Sequence, residues 1–220
     1  MAIVPAPCDP PPAAAISAAV EALRGGDIVG LPTDTVYGLA ADPFRSGAAD
    51  RLFRAKGRPR SIELPVLVAS ADQAVELTTA LPGAGRRLME RYWPGPLTLV
   101  LPRRPDLVAD LGDDDVTIGI RCPAHPVPLA ICAAGGPMAT TSANRHGEPP
   151  LTTASEVVAV LGSTVDLVLD GGTCDRLPST VVDATGAVPR LLRQGSVAWA
   201  DLLAVVEGDG GWRPAGHPRS

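Results

Sequence analysis

The sequence predicts a single α/β domain built on a mixed β-sheet, and three observations indicate this. Short runs of aliphatic residues alternate with Ala-rich or amphipathic helical segments along most of the chain. Some neighbouring strands, such as those near residues 97 and 116, have no helix between them, which is typical of a mixed sheet. The 220 residues are 45% hydrophobic but only 3% aromatic, so one sizeable core can form from Ala, Val, Leu and Ile.

The first half of the chain begins with a lead and then alternates helices and strands. Residues 1–11 are rich in proline and predict a loose lead. The Ala-rich run 13–24 predicts a helix that Gly25-Gly26 ends, and Ser70 is a good N-cap for a later helix. Aliphatic runs predict the strands. The predicted strands are 27–31, 65–69 and 97–101, and the further predicted helices are 46–55, 71–79 and 83–92.

The second half continues the alternation with shorter strands. Thr153 and Glu156 have the spacing of a capping box, which predicts the start of a helix that runs to Leu161. Residues 207–220 are rich in Gly and Pro and predict a frayed tail, so the folded catalytic domain is expected to span residues 12–206. The predicted strands are 116–121, 137–141, 165–169, 180–183 and 190–192, and the other predicted helices are 126–134 and 200–206.

Composition excludes several classes of function. The chain has 19 Lys and Arg against 24 Asp and Glu, and its net charge of −5 argues against a general nucleic-acid-binding surface. No apolar run is long enough to span a bilayer and the N-terminus lacks the pattern of a signal peptide, so we expect a cytoplasmic protein without a membrane role. None of the four cysteines forms a CxxC pair, so reduced thiols are expected and a metal site made of protein ligands alone is not.

Polar residues collect in short segments at the ends of predicted strands. In α/β sheets ligands bind outside strand ends, so we expect these segments to converge. Their hydroxyls, amides and few cations suit a phosphate and a small zwitterion, whereas they do not suit hydride transfer or a serine nucleophile. The segments are Pro32–Leu39, Lys56–Arg60, Thr117–Arg121, Thr140–Asn144, Ser179-Thr180 and Arg193–Gly195.

Each segment also has a structural interpretation without a ligand. Lys56 and Arg58 suit an oligophosphate, but cations at a helix end also stabilise the helix dipole. Arg121 at a strand end could hold a substrate carboxylate or form an ion pair at a rim. The hydroxyls and the carboxylate of residues 33–35 could equally stabilise their own turn. His146 is the only histidine placed to act as a general base, and a solvated loop position is the more common case.

Seven segments, taken together and in this order, resemble the YrdC-like family of threonylcarbamoyl-AMP synthases. They are GDIVGLPTDTVYGLAADPF (26–44), KGRP (56–59), YWPGPLTLVLP (92–102), TIGIRCPAHP (117–126), TTSANRHGEP (140–149), STVVD (179–183) and LLRQG (191–195). The resemblance implies a twisted open sheet with a deep concave face, in the short form without an extra C-terminal domain. It also implies that L-threonine, bicarbonate or CO2, and ATP react to L-threonylcarbamoyladenylate and pyrophosphate, for the N6-threonylcarbamoyl modification of adenosine 37 in tRNA.

The resemblance further implies roles for individual residues. The residues matched to threonine binding are Thr33, Arg121, Thr140 and Ser179. Those matched to ATP binding are Lys56, Arg58, Arg60, Thr117, Ser142, Asn144 and Arg193. Lys56 and Arg58 are expected to be catalytic by neutralising the phosphates, with Mg2+ bridging them. The machinery that transfers the threonylcarbamoyl group to tRNA is the expected partner, and weak RNA binding is a further expectation.

The chain departs from the family pattern near the phosphate segment and in two loops. Five residues, 60–64, separate Pro59 from Pro65 where the family more often has three, so Arg60 and Ser61 are expected to replace a phosphate contact. Two prolines stand where the family often has a glutamate and a serine that reaches the nucleotide. They are Pro178 and Pro150.

Two other functions compete with the synthase. The first is a YrdC-like module that binds double-stranded RNA or assists ribosome assembly without catalysis, and the net charge of −5 disfavours it. The second is a carbamoyl-adenylate enzyme resembling the YrdC-like part of hydrogenase-maturation carbamoyltransferases. That function is expected to need zinc-finger and acylphosphatase-like regions, which this sequence does not contain.

Overall fold

Aliphatic runs and helical segments form the alternating structure that their spacing predicts. The computed structural model describes residues 2–208. In that range the helices are α1 (Ala13–Gly25), α2 (Ala48–Lys56), α3 (Ala71–Val75), α4 (Gly83–Tyr92), α5 (Pro126–Gly135), α6 (Ala154–Leu161) and α7 (Trp199–Glu207). The strands are β1 (Ala2–Pro5), β2 (Val29–Leu31), β3 (Gly38–Ala41), β4 (Val66–Leu67), β5 (Leu97–Pro102), β6 (Thr117–Arg121), β7 (Met138–Ser142), β8 (Leu167–Asp170), β9 (Thr180–Asp183) and β10 (Arg190–Arg193).

These strands form one open sheet of ten strands. Their order is β1-β8-β2-β3-β7-β4-β6-β5-β9-β10. The sheet is mixed, because β4 pairs with β6 and β5 with β9 in parallel, whereas β7 lies antiparallel to both β3 and β4. β1 and β10 are its two edges, so the sheet does not close into a barrel. The predicted α/β class with a twisted, open, mixed sheet is confirmed.

Helices bury their apolar sides against both faces of the sheet. One core cluster joins α1 and α5 to the sheet through Ile16, Val20, Val127, Ile131 and Leu31. The larger cluster joins α2, α4, α6 and α7 to the other face through Leu52, Phe53, Leu88, Val157 and Leu202. Burial of a side chain of this size contributes about 1.5–3 kcal/mol each, so these two clusters hold the strand ends in place.

Strand register brings the polar segments together in the middle of the sheet. β3 and β7 pair so that Gly38 lies opposite Ser142, and β4 and β6 pair so that Leu67 lies opposite Arg121. On the other side of β6, Leu97 of β5 lies opposite Thr180 of β9. Ends of the central strands that are far apart in sequence therefore meet at one place.

Two strands were not predicted from the sequence. Residues 1–11, expected to be a loose lead, contain β1, which pairs in parallel with β8 along four residues. The first two residues of β3 were predicted to belong to a loop and the last two to no element, because Gly-Leu-Ala-Ala carries none of the β-branched residues that indicate a strand. Its backbone is nevertheless buried between β2 and β7. Residues 209–220 of the predicted frayed tail lie outside the described residues.

The helices were also compared with what a bilayer requires. Among residues 2–208, none of the helices is both long enough and apolar enough to cross a membrane.

Candidate functional site

The central strand ends enclose an open cavity. It has about 850 Å³ of free space, part of which is open to solvent. Its walls come from the loop between β2 and β3, the ends of β6 and β7, residues 178–179 just before β9, and the last residue of β10. The polar residues in its lining are Thr33, Thr35, Tyr37, Arg58, Thr98, Arg121, Thr140, Thr141, Ser142, Ser179 and Arg193. An open cleft with convergent polar groups and cations is a candidate for binding an anionic ligand.

A chain of hydroxyls runs along one wall of the cavity. Thr33 donates from its hydroxyl to the carbonyl of Val36 at 2.6 Å. The only proton of the Thr33 hydroxyl is therefore already used. In the 3.0 Å hydrogen bond between the hydroxyls of Thr33 and Thr35, Thr35 is therefore the donor. The oxygen of Thr35 then accepts from Nη1 of Arg121 at 3.1 Å. The turn between β2 and β3 is thus connected to the end of β6 by a chain of hydrogen bonds in which each donor has an acceptor.

Arg121 is the cation at this end of the cavity. Its Nη2 donates to Oδ1 of Asp34 at 2.5 Å and its Nε donates to the carbonyl of Gly95 at 3.1 Å. Burial lowers the pKa of Arg121, and the nearby Asp34 carboxylate opposes that change. The Arg121 and Asp34 side chains are only 8% and 6% exposed. These three acceptors use one N–H each, so two of the five N–H groups of Arg121, which lines the cavity, are left for a ligand.

Ser179 and Arg193 form a second corner of the cavity. Ser179 and Thr98 share a hydroxyl hydrogen bond of 2.9 Å, and Arg193 donates from Nη2 to the carbonyl of Ser179 at 2.9 Å. The turn after β10 packs directly on this corner, since a Cβ at Gly195 would lie 2.3 Å from the carbonyl oxygen of Pro178. The close approach of two backbones therefore fixes Arg193 beside Ser179.

Two arginines at the cavity lack a carboxylate partner. Within residues 2–208, neither Arg58 nor Arg193 forms an ion pair with Asp or Glu. Burial lowers the pKa of each, and the charge of Arg193 lowers the pKa of Arg58 further. Two neighbouring, partly desolvated guanidinium groups without counter-charge favour a polyanion such as a chain of phosphates.

Lys56 lies behind the cavity wall. It is 4% exposed, and its Nζ donates to the carbonyl of Ser142 at 2.5 Å and to Oδ1 of Asn144 at 2.8 Å. Asn144 in turn donates from Nδ2 to the carbonyl of Glu148 at 2.6 Å. Burial, and then the charge of Arg58, lower the pKa of Lys56 to about 7. Lys56 and Asn144 thus set the shape of the loop that carries Ser142 into the cavity.

The structure brings most of the predicted site residues to one cavity. Those in its lining are Thr33, Arg58, Arg121, Thr140, Ser142, Ser179 and Arg193. Four predicted ATP-binding residues are not in the lining: Lys56 and Asn144 lie behind the cavity wall, and Arg60 and Thr117 lie elsewhere. Arg60 pairs with Asp50 and Asp110 outside the lining, and Thr117 donates from its hydroxyl to Oδ2 of Asp114 at 2.8 Å. Their direct contact with ATP stays a prediction.

Five polar residues at the site were not assigned a binding role from the sequence. They are Asp34, Thr35, Tyr37, Thr98 and Thr141. Asp34 and Thr35 stand in a recognised turn, but their partner Arg121 is more than 80 residues away, and only the fold brings the two together. A carboxylate in a strand-end turn together with a strand-end arginine was the available signal.

The described residues offer no protein-made metal centre. In that part of the chain, no three His, Cys, Asp or Glu side chains come close enough together to hold a metal ion. His146, weighed as a general base, is exposed and lies outside the cavity lining. The four cysteines are free thiols, as predicted.

Comparisons with known proteins agree with this geometry. The family model Sua5_yciO_yrdC, described as "Telomere recombination", matches residues 21–195. A protein of Mycobacterium tuberculosis (strain CDC 1551 / Oshkosh), provisionally named as a threonylcarbamoyl-AMP synthase, is 42% identical over 192 residues, which are 87% of this chain and 88% of that protein. The threonylcarbamoyl-AMP synthase of Bacillus subtilis is 38% identical over 194 residues, 87% of this chain and 56% of that enzyme.

Among solved structures, Sua5 of Pyrococcus abyssi in complex with L-threonine superposes with a TM-score of 0.87 and 35% sequence identity. The match covers 94% of this chain and 61% of the Sua5 chain. The chain therefore spans about three fifths of that structure, but most of the length of the Mycobacterium tuberculosis relative.

Proposed function

The chain belongs to the Sua5/YciO/YrdC family, and from that membership we propose that it is an L-threonylcarbamoyladenylate synthase. It forms threonylcarbamoyl-AMP and pyrophosphate from L-threonine, bicarbonate or CO2, and ATP. One observation carries the proposal. A single cavity holds a buried arginine among hydroxyls, which suits a small hydroxylated amino acid, and a pair of arginines without counter-charge, which suits phosphates.

The amino acid occupies the end of the cavity formed by Thr33, Arg121 and Ser179. Arg121 is held on three sides by protein acceptors and binds the substrate carboxylate with its remaining N–H groups. The hydroxyls around Arg121 form hydrogen bonds with the side chain of threonine and so recognise it. A site that hydrogen-bonds a substrate hydroxyl rejects the analogue that lacks it, because its own polar groups then stay unpaired.

The triphosphate occupies the end formed by Arg58, Arg193 and Ser142. Arg58, Arg193 and Ser142 would hold the phosphates of the Mg2+ complex of ATP. In that complex Mg2+ would neutralise charge on the phosphates and on the departing pyrophosphate. Arg58 and Arg193 then orient the α-phosphate relative to the amino acid.

The chemistry joins two anions. The threonine amine first takes up CO2 and loses a proton, giving a carbamate. A carbamate oxygen then attacks the α-phosphorus of ATP, forming the new P–O bond as the bond to the pyrophosphate oxygen breaks. Because like charges must approach, alignment and charge neutralisation supply most of the rate enhancement. No protein nucleophile is needed, and none is assigned.

The product is an activated carbamoyl group on threonine. Its use is the threonylcarbamoyl modification of adenosine 37 in tRNA, so the partner is the machinery that transfers this group to tRNA. We therefore propose a cytoplasmic location, where tRNA and ATP are available. Weak RNA binding by the chain itself stays a prediction.

The test is a pyrophosphate-release assay with purified protein, ATP and Mg2+. We expect release only when threonine and bicarbonate are both present, because the carbamate that attacks ATP contains both. Mass spectrometry of the mixture should show threonylcarbamoyl-AMP. Serine and valine in place of threonine serve as matched substrates that each lack one feature. Pyrophosphate release that does not depend on threonine would contradict the substrate assignment.

A further inference from the structure

The segment after the predicted phosphate-binding motif forms a compact turn. This is the 60–64 segment, the five residues between Pro59 and Pro65. The amide of Ile62 donates to the carbonyl of Pro59 at 3.1 Å, so the chain folds back on itself. The amide of Leu64 then donates to the carbonyl of Leu111 at 2.8 Å and ties the end of the segment to a neighbouring loop.

The carbonyls of this segment hold Arg58. Nε of Arg58 donates to the carbonyl of Ile62 at 2.7 Å, and Nη2 donates to the carbonyl of Glu63 at 2.7 Å. Two acceptors from consecutive residues fix the plane of a guanidinium group, because its donors form a rigid fork. In the described part of the chain Arg58 makes no other side-chain hydrogen bond, and it lines the cavity. The 60–64 segment therefore sets the direction in which Arg58 faces the ligand.

Arg60 anchors this segment to the body of the domain. Its Nη1 pairs with Asp50 of α2, its Nη2 donates to Oδ1 of Asp110 at 2.6 Å, and its Nε lies 3.4 Å from Oδ1 of Asp113. The guanidinium also lies over the ring of Phe53, 5.0 Å from the ring centroid. We call these four partners the Arg60 cage. An exposed ion pair contributes little alone, but three carboxylates on one guanidinium form a network.

The loop opposite Arg60 is shaped to approach it closely. The amide of Asp113 donates to the backbone carbonyl of Arg60 at 3.2 Å. The preceding residue, Gly112, has a φ of +135°, and a Cβ there would lie 2.6 Å from the same carbonyl oxygen. A side chain at position 112 would therefore push the loop away from the 60–64 segment.

The cage disfavours a direct contact between Arg60 and phosphate. Three carboxylates surround one guanidinium, so the local charge is already negative and would repel an incoming phosphate. The hydrogen bond to Asp110 raises the pKa of Arg60, as expected for a cation that is satisfied by protein carboxylates. Arg60 is also absent from the cavity lining, whereas Arg58 belongs to it.

We propose that Arg60 is a positioning residue that acts on ATP through Arg58, by holding the 60–64 segment whose carbonyls orient the Arg58 guanidinium. The inference rests on the proposed function, because it assigns Arg58 to the phosphates. It separates two arginines that lie two residues apart in the sequence: one contacts the ligand and the other fixes its neighbour.

The first experiment compares Arg60→Met with the wild type. Methionine keeps an unbranched stem over Phe53 but removes every ion pair of the cage. We expect the Kd for Mg-ATP, measured by calorimetry, and the KM for ATP to rise about tenfold, while the KM for threonine changes less than twofold. Arg104→Met is the matched control, since Arg104 forms an exposed ion pair with Asp106 away from the cavity, and it should leave all three values unchanged.

The second experiment asks whether the effect passes through Arg58. If it does, the double variant Arg58→Met/Arg60→Met binds Mg-ATP no more weakly than Arg58→Met alone. Losses that multiply in the double variant would overturn the proposal and assign Arg60 its own contact with ATP. An unchanged Kd in Arg60→Met, or an equal rise in the KM for threonine, would also overturn it.

Two provisions keep the test decisive. If Arg60→Met does not fold, Asp110→Asn removes one charge of the cage and should raise the Kd for Mg-ATP by a smaller factor. An unchanged Kd in Asp110→Asn would contradict the proposal. The binding measurement does not depend on turnover. A wild type that binds Mg-ATP but forms no threonylcarbamoyl-AMP would therefore refute the proposed function and leave the test of Arg60 intact.

Discussion

Arg121 shows how one residue connects the fold to the chemistry. Its guanidinium contacts the turn between β2 and β3 through Thr35 and Asp34, and the loop before β5 through Gly95. A buried cation without a counter-charge is costly, so Asp34 both stabilises Arg121 and fixes its direction. Oδ2 of Asp34 is buried and has no hydrogen-bond partner among the described residues. The Asp34 carboxylate therefore serves Arg121 and is not part of a wider hydrogen-bond network.

We expect Asp34→Asn to raise the KM for threonine severalfold, with little change in the KM for ATP. The variant keeps the volume of Asp34 but removes its charge, so Arg121 is held less firmly in the direction that binds the substrate carboxylate. Breaking a buried pair costs about 3–5 kcal/mol when one partner is left charged, so thermal stability should also fall. Steady-state kinetics and thermal unfolding measure the two effects.

Asp106→Asn is the control for this prediction, because it removes the carboxylate from an exposed ion pair with Arg104. Asp106→Asn should change neither the KM for threonine nor the thermal stability. If Asp34→Asn bound threonine more tightly than the wild type, Asp34 would be a competitor for Arg121 and not its support.

At the scale of elements, β9, β10 and the turn after them close the cavity from the C-terminal side. Strand signals in the sequence were sufficient to predict β9 and β10, because their aliphatic runs are flanked by turn residues. The contact that makes them functional was not predictable. Gly195 lies against the backbone of Pro178 and Ser179, and nothing in the local sequence indicates that two loop backbones meet there. The same holds for β3, whose place in the sheet depends on its neighbours β2 and β7.

We expect Gly195→Ala to reduce threonine-dependent pyrophosphate release and to lower stability by about 1–3 kcal/mol, the usual cost of overpacking. A Cβ at this position would lie 2.3 Å from the carbonyl oxygen of Pro178, so the turn must shift and take Arg193 away from Ser179. Chemical denaturation measures the stability and the pyrophosphate assay measures the activity.

Gly186→Ala is the matched control for Gly195→Ala. A Cβ at Gly186 would meet no heavy atom within 4 Å, so the same substitution should be tolerated there. Wild-type activity in Gly195→Ala would show that the turn after β10 does not set the position of Arg193.

At the scale of the whole molecule, the order of strands could not be derived from the sequence. The chain predicts which segments are strands, but β7 lies between β3 and β4, and β9 lies beside β5, through long crossovers that leave no local signal. The resemblance to a known family predicted more of the site than the predicted helices and strands did. It assigned residues from both ends of the domain to the same binding site. Ligand binding should therefore stabilise the whole sheet rather than one element.

We expect threonine and Mg-ATP each to raise the Tm of the wild type, because a ligand that binds only the folded state stabilises it by about 2.7 kcal/mol at a concentration of 100 Kd. Arg121→Met should lose the shift with threonine and keep the shift with Mg-ATP, and Arg58→Met should do the reverse. Thermal unfolding with each ligand alone measures both. Equal loss of both shifts in both variants would contradict the division of the cavity into two ends.

The position of Ser179 and Arg193 in the chain has a consequence for biosynthesis. One side of the cavity is made by residues 33–38 and the other by residues 178–193, so the walls are translated far apart in time. A nascent chain that has emerged only as far as β8 carries most of the hydrophobic core but lacks Ser179 and Arg193, which complete one wall of the cavity. We therefore expect threonine and ATP to stabilise the fold fully only after β9 and β10 have joined the sheet.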